Sequence, residues 1–179
     1  MRSLVVHEGR RRGGHKVSRD IDLLQLGHDS EEAGDFTAAR EFFEKGGRSG
    51  VPACWSRLGY MFDVGIGVPI DKAKAMSCYR RAWRGQDWVA ATNIAILYRE
   101  VGNNRAMFRW FERAAACGDG DALVDLAKCY IEGTGVRKNI AAAQRLLGAA
   151  KTSHFITEDG REQAEAMLDD FGEQEPEVR

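Results

Sequence analysis

Apolar residues recur along this chain at helical spacing, and one short pattern returns at regular intervals. The stretch Leu58-Gly59-x-x-Phe62 places a leucine, a small residue and an aromatic residue close together on one predicted helix. Residues three and four apart lie on the same face of a helix, so this pattern marks a buried face that a second helix can approach closely. Leu126-Ala127-x-x-Tyr130 repeats the pattern in the second half of the chain. Such recurrence is typical of a solenoid built from stacked helix pairs.

Four copies of the pattern divide the chain into units with two kinds of loop. The copies start at Leu26, Leu58, Ile94 and Leu126. The first and third intervals are equal, and the second is longer. The second and fourth units have a longer loop between their two helices, at 65–69 and 133–137. We expect Gly65 and Gly133 to end the first helices of these units in the left-handed conformation. The residues expected at helix N-termini are Asp35, Asp71, Asn103 or Asn104, and Asn139 for the second helices, and Pro52, Asp87 and Asp119 for the first helices.

The chain outside the repeats differs in charge and periodicity. Residues 1–19 combine six basic residues with one acidic residue and three glycines, which predicts a flexible basic arm. The solenoid is predicted over residues 20–171, with units at about 20–50, 51–86, 87–118 and 119–153 and a capping helix at 158–171. Residues 172–179 are predicted to form an acidic tail.

The units with long loops resemble the Sel-one-like repeat family, a relative of the tetratricopeptide repeats. The resemblance rests on Leu58-Gly59, on Phe62, on the Gly-x-Gly-Val-Pro run at 65–69 and on the helix that follows, and it returns in the Gly-x-Gly-Val run at 133–136. It covers residues 21–153 and implies an all-α fold, a right-handed superhelix of four helix pairs with a C-terminal capping helix. In such a superhelix the first helices line a concave face.

Composition and short motifs give no indication of an enzyme or of a cofactor. The formal net charge is −1, and no apolar run approaches the roughly 20 residues that a membrane-spanning helix needs, so we expect a cytoplasmic location. The four cysteines lack zinc-ligand spacing and are expected to be small buried thiols. The two Gly-x-Gly runs lack the third glycine and the strand of a dinucleotide loop and are interpreted as turns. We therefore expect no catalytic residue, metal ligand or cofactor.

The resemblance implies a protein-binding role, because the known members are mostly adaptors. We predict an adaptor, a scaffold or an inhibitor, the last including a bacterial immunity protein that neutralises a toxin, which binds its partner in the concave groove. Helical spacing makes this groove mildly acidic, so a partner with a basic or mixed basic and apolar segment would suit it. The residues expected in the groove are His28, Glu31, Glu32, Ser56, Tyr60, Asp63, Thr92, Ile96, Arg99, Glu100, Lys128 and Glu132.

Two alternative surfaces remain open at this point. Trp83 and Trp88 flank a turn and fit no shared repeat position, so they either pack on each other or form an exposed anchor for a partner at the edge of the solenoid. The basic arm offers a different function, that of a regulator associated with nucleic acid. Its arginines are not interleaved with the aromatic residues that stack on bases, which makes nucleic acid the less favoured partner.

Overall fold

The computed structural model describes the backbone of residues 14–173 and the side chains of residues 23–171. Within these limits the chain forms nine α-helices and no strand. Helices α1 to α8 form four consecutive pairs, and α9 packs against α7 and α8. The predicted all-α solenoid of four helix pairs with a capping helix is therefore confirmed. The helices are α1 (Gly14–Glu32), α2 (Phe36–Ser49), α3 (Pro52–Val64), α4 (Lys72–Arg84), α5 (Val89–Glu100), α6 (Asn104–Ala116), α7 (Gly120–Glu132), α8 (Ile140–Lys151) and α9 (Glu158–Glu173).

Local sequence chemistry sets most of the helix ends. The side chains of Asp35, Asp71, Asn103 and Asn139 each accept a hydrogen bond from a backbone N–H three residues further on, as N-cap residues do. Gly65 and Gly133 end α3 and α7 with φ of 83° and 81°. Asp119 caps α7 as expected.

The start of α5 differs from the prediction. Its N-cap residue is Trp88, and the carboxylate of Asp87, one residue earlier, accepts a hydrogen bond from the backbone N–H of Val89 at 3.2 Å. The prediction that Asp87 is the N-cap residue of α5 was therefore wrong by one residue. The other carboxylate oxygen of Asp87 accepts a hydrogen bond from the Ser56 hydroxyl of α3.

Close approach of the two helices in a pair depends on the small residue of the repeated pattern. Gly59 lies so near the ring of Tyr79 on α4 that a Cβ atom there would be 2.7 Å from Cδ1 of the ring. A Cβ at Gly27 would likewise overlap the ring of Phe43 on α2. Both rings are fully buried. The first two units therefore bury an aromatic ring directly against the backbone of the first helix.

The two long loops have the same internal geometry. The backbone N–H of Asp71 donates to the carbonyl of Phe62 at 2.8 Å, and in the fourth unit Asn139 donates to Tyr130 at 2.9 Å. The first of these loops also contacts the second helix of the preceding unit, because a Cβ at Gly67 would overlap Phe36 at the start of α2. This long loop therefore joins two units as well as two helices.

The ends of the described chain differ from the predicted segments. Helix α1 begins at Gly14, so residues 14–19 of the predicted arm are helical. Helix α9 ends at Glu173, two residues inside the predicted tail. The remainder of the predicted arm, residues 1–13, and of the predicted tail, residues 174–179, lie outside the described residues.

The contact of the long loop with α2 can be tested with two glycines in the left-handed conformation. We expect Gly34→Ala (φ 77°) to cost about 1 kcal/mol of the free energy of unfolding, because its Cβ meets no atom within 4 Å and only backbone strain is added. Gly67→Ala (φ 64°) adds similar strain and also drives its Cβ into Phe36, so we expect about 2–4 kcal/mol. Urea unfolding of the two variants measures the difference. Equal losses would show that the loop does not contact α2 in solution.

Thiol accessibility gives a second test of the fold. Cys54, Cys78 and Cys129 are buried and Cys117 is exposed. Burial raises the pKa of Cys78 and of Cys129 to about 11, so both stay protonated as well as shielded at mildly alkaline pH. We expect one fast-reacting thiol in the native protein with a disulfide reagent and four after denaturation. Rapid reaction in a Cys117→Ser variant would contradict this packing.

The same two thiols affect stability at high pH. The pKa of Cys78 and of Cys129 is higher in the folded than in the unfolded chain. Their contribution to the free energy of unfolding is therefore fully present below the unfolded pKa of 9.0. It decreases as the pH rises from there towards the folded value of about 11.

Candidate functional site

Equivalent positions of the four first helices form one continuous surface, which we call the first-helix face. His28, Tyr60, Ile96 and Lys128 occupy the same place in successive units, since each directly follows the small residue of the repeated pattern. The side chain of Tyr60 is 40% exposed, and the guanidinium of Arg57 lies over its ring at 5.4 Å. Ile96 is half-buried. This face therefore offers apolar contact area next to charged groups.

Polar contacts connect neighbouring first helices across this face. Arg57 on α3 forms an ion pair with Glu31 on α1 at 2.5 Å, and Arg99 on α5 lies 3.5 Å from Asp125 on α7. The ammonium of Lys128 on α7 donates to the side-chain carbonyl of Gln163 on α9 at 2.6 Å. Glu31 is only 10% exposed. Several charged residues predicted to receive a partner therefore already hold the units together.

Asp63 was predicted to point into the groove, and this was wrong. It is 8% exposed, and its carboxylate accepts hydrogen bonds from the Lys72 ammonium at 2.6 Å and from the Tyr79 hydroxyl at 3.1 Å. Lys72 also pairs with Glu100 at 2.8 Å, and the hydrogen bonds to the two carboxylates raise the pKa of Lys72. Asp63 thus satisfies the hydroxyl that close packing buries beneath Gly59, and its role is in folding.

Ser56 is also buried rather than available in the groove. Its hydroxyl donates to the carboxylate of Asp87 at 2.5 Å. One unit later the hydroxyl of Thr92 makes the same contact with Asp119, also at 2.5 Å. In both cases a first helix is bonded to the residues that start the next first helix. Ser56 and Thr92 therefore set the stacking of one unit on the next.

The remaining predicted groove residues are accessible to different degrees. Glu32, Glu100 and Glu132 are exposed at the C-terminal ends of their helices, and His28 is half-buried with its ring edge-on to Phe43 at a centroid distance of 5.4 Å. The accessible part of the first-helix face thus consists of Tyr60, Ile96 and charged side chains around them.

A polar cleft lies at the C-terminal end of the first-helix face, between α5, α7 and α9. It has a volume of about 270 Å³, and Asp121, Asp125 and Asp159 line it together with Arg99 and Lys128. Burial raises the pKa of Asp125 despite the nearby Arg99 and Lys128. A carboxylate that is kept in a partly desolvated cleft is a candidate contact for a basic side chain. We call this the acidic cleft.

The structure separates the two tryptophans that were predicted to form an edge anchor. Trp83 is half-buried, and its ring packs edge-on against Trp110 of α6 at a centroid distance of 5.6 Å. Trp88 is 38% exposed and lies 6.4 Å from the ring of Phe155, in the loop before α9. Trp83 thus contributes to the core, and the prediction of an exposed edge anchor stays a prediction for Trp88.

A groove between the second helices α2 and α4 was missed by the sequence analysis. It has a volume of about 540 Å³, and its floor is apolar, formed by Trp55, Leu58 and Phe62 of α3 with Val68 and Ile70 of the long loop. Arg40 and Arg81 lie on its two sides. We call it the α2–α4 groove. The one available sequence signal was Arg40 itself, which stands where the third unit has Phe108.

Charge is divided between the two sets of helices. The second helices α2, α4, α6 and α8 carry thirteen basic and three acidic side chains. The described side chains of the first helices α1, α3, α5 and α7 include three basic and eight acidic ones. Helix α9 adds six acidic side chains and one basic one within its described part. Although the net charge is only −1, basic side chains concentrate on the second helices and acidic ones on the first helices and α9.

The described residues include neither a cluster suited to a metal ion nor a helix suited to a membrane. Among the residues that the structure describes, there is no group of three or more His, Cys, Asp or Glu side chains placed to hold a metal ion. None of the described helices has the length and apolar character required to cross a membrane. The arginines of the predicted nucleic-acid arm, at positions 2 and 10–12, lie outside the described residues.

The structural role of Asp63 can be separated from a binding role by measuring stability. We expect Asp63→Ala to lower the free energy of unfolding by about 2–3 kcal/mol, because it leaves the buried Tyr79 hydroxyl without its acceptor and removes one of the two carboxylates paired with Lys72. Tyr60→Ala removes a partly exposed ring on the same helix and should cost less than about 1 kcal/mol. Urea unfolding of both variants makes the comparison. An Asp63→Ala variant as stable as the parent would restore Asp63 as a candidate binding residue.

Comparison with known proteins agrees with the repeat architecture. A family model described as Sel1 repeat matches residues 14–51, 56–85, 108–119 and 120–152. An uncharacterized protein from Neisseria meningitidis serogroup B is 30% identical over 105 residues, which is 59% of this chain and 22% of that protein. This chain thus spans about a fifth of that relative's length.

Two solved structures share the fold. A Sel1 repeat protein from Oxalobacter formigenes superposes with a TM-score of 0.73 at 22% identity, covering 89% of this chain and 66% of that one. A protective antigen of uropathogenic Escherichia coli, described as displaying an SLR fold, gives a TM-score of 0.53 at 19% identity and covers 86% of this chain and 45% of that one. Proteins built from Sel1 repeats are generally protein–protein interaction modules. Because the family model matches more than half of its residues, this chain belongs to the Sel1 repeat family.

Proposed function

We propose that this protein binds a partner protein on its first-helix face and that the bound segment combines lysine or arginine with an apolar residue. The observation that carries the proposal is the acidic cleft, which lies on the same face as the exposed ring of Tyr60. Carboxylates exceed cations there, and Asp125 has an elevated pKa because it is partly desolvated. A basic side chain would gain more from such a carboxylate than from one in open water.

The apolar part of the segment would lie on Tyr60 and Ile96. Tyr60 provides a large ring with few rotatable bonds, and residues of this kind dominate the energy of many protein interfaces. The face is already assembled, since Glu31–Arg57 and Lys128–Gln163 connect its helices. Binding therefore requires little ordering of the solenoid, which favours affinity. An adaptor, a scaffold or an inhibitor such as an immunity protein would all use this same contact.

Asp125 offers a variant in which stability and binding should change differently. Its raised pKa means that the ionised carboxylate disfavours folding, and this cost grows as the pH rises through the titration of Asp125. We expect Asp125→Asn to leave the free energy of unfolding unchanged or to raise it at neutral pH. The same change should weaken binding of a basic segment, because the acidic cleft loses a charge.

A peptide library displayed on phage provides the binding test. We expect peptides selected on the folded protein to include a class in which lysine or arginine flanks an apolar residue. Dissociation constants for this class, measured by fluorescence anisotropy, should rise about 5–30-fold with Tyr60→Ala, which corresponds to about 1–2 kcal/mol. Asp125→Asn should weaken binding as well, and more so at low salt.

The control is Arg109→Ala, an exposed cation on α6 that lies on the other set of helices. It should leave the affinity of the basic and apolar peptides unchanged. If these peptides bind Tyr60→Ala and Asp125→Asn as tightly as the parent protein, the first-helix face is not their site and the proposal is wrong.

A further inference from the structure

The α2–α4 groove lies apart from the proposed first-helix site and has the properties of a second one. Its volume of about 540 Å³ lies within the usual range of ligand pockets, about 300–1,000 Å³. The floor consists of side chains from α3 and from the long loop, and Ile70 is 63% exposed. An apolar floor in a concave position gives an apolar side chain of a partner a place to pack.

The repeat itself provides an internal comparison for this groove. The third and fourth units place Phe108 and Tyr130 at the positions that Arg40 and Phe62 hold in the first and second. Phe108 is 7% exposed and packs edge-on against Tyr130 at a centroid distance of 5.5 Å. In the first half, Arg40 replaces that aromatic ring. An aromatic ring that packs in the second half is thus replaced in the first half by a cation at the side of the groove.

The charges around the groove leave an excess of positive charge. Its two acids already have partners, since Glu44 pairs with Arg48 at 2.5 Å and Asp71 pairs with Lys74 at 3.1 Å. Arg40 and Arg81 form no ion pair with any residue in the described part of the chain. Helix α4, which forms one wall, has five basic side chains and no acidic one.

We propose that the α2–α4 groove is a second docking surface, which receives an acidic segment of a partner protein with an apolar side chain at its centre. The apolar side chain packs on Val68 and Ile70 of the long loop, and carboxylates on either side pair with Arg40 and Arg81. Both sets of contacts are needed, because exposed ion pairs alone contribute only about 0–1 kcal/mol each. The segment is opposite in charge to the one proposed for the first-helix face.

The aromatic rings of the groove favour an acidic protein segment over nucleic acid as the partner, because cations already lie over them. Binding of single strands depends on ring faces on which bases can stack. Here the guanidinium of Arg81 already lies over Trp55 at 4.7 Å, and the ammonium of Lys74 lies over Phe62 at 5.3 Å. The cations thus cover the rings that bases would need, while they remain able to pair with carboxylates.

The decisive variant is Arg40→Phe, which reproduces the residue found at the equivalent position of the third unit. We expect it to fold at least as stably as the parent, because a ring packs on Phe62 as Phe108 packs on Tyr130, and to close the groove. Ser77→Tyr is a second blocking variant, since Ser77 is an exposed residue of the groove wall. Ser77→Ala is its matched control and leaves the groove open.

The experiment is a selection from a random peptide library on the parent protein, with Arg40→Phe as the counter-selection target. We expect enrichment of peptides in which aspartate or glutamate flanks an apolar residue. Their dissociation constants should rise at least 10-fold with Arg40→Phe and with Ser77→Tyr. They should not change with Ser77→Ala, nor with Tyr60→Ala, so that failure here is distinct from failure of the first-helix site.

Any of four results would overturn the proposal. The enriched peptides could lack acidic residues, or they could bind the two blocking variants as tightly as the parent. A single-stranded oligonucleotide could bind the parent more tightly than the peptides do and lose affinity with Arg40→Phe, which would make nucleic acid the occupant. Sedimentation could show self-association that Arg40→Phe abolishes, which would make a second copy of this chain, through its acidic α9, the occupant.

Discussion

The fold depends on one constraint, which is that a side chain of the second helix lies directly against the backbone of its first helix. Gly59 leaves room for the ring of Tyr79, and Gly27 leaves room for Phe43. Contact this close buries the Tyr79 hydroxyl, and a buried hydroxyl needs a hydrogen-bond partner. Asp63 supplies it, and the carboxylate is in turn neutralised by Lys72, which also binds Glu100 at the end of α5. The polar network between the second and third units thus follows from the packing of a single ring.

The sequence predicted the helices well because their signals are local. Helical spacing and N-cap side chains act within a few residues, so Asp35, Asp71 and Asn139 could be placed from the chain alone. The exposure of the predicted groove residues could not be predicted from local signals, because helical spacing shows which face a residue occupies and not what covers that face. Ser56 lies on the expected side of α3, but Asp87 of the next unit reaches it. Such contacts depend on how units stack, which no single helix encodes.

The distribution of charge was only partly predicted for a related reason. The groove was expected to be mildly acidic, but the concentration of basic side chains on the second helices was not predicted. Basic side chains concentrate on the second helices, while acidic ones concentrate on the first helices and on α9. Two surfaces of opposite sign on one rigid body allow two partners of opposite charge to bind together without competing. This arrangement suits an adaptor, whose task is to hold two proteins near each other.

The departures from strict repetition are the best guide to function in this chain. If stacking were the only requirement, the first half would keep an aromatic residue at position 40, because Phe108 buries its ring in the equivalent place and Arg40 cannot. Asp125 likewise occupies a partly buried position where its charge disfavours folding. Departures of this kind from the local rules of a fold are expected at sites that bind. Arg40 and Asp125 lie on different helices and carry opposite charges, which is why we propose a separate partner for each.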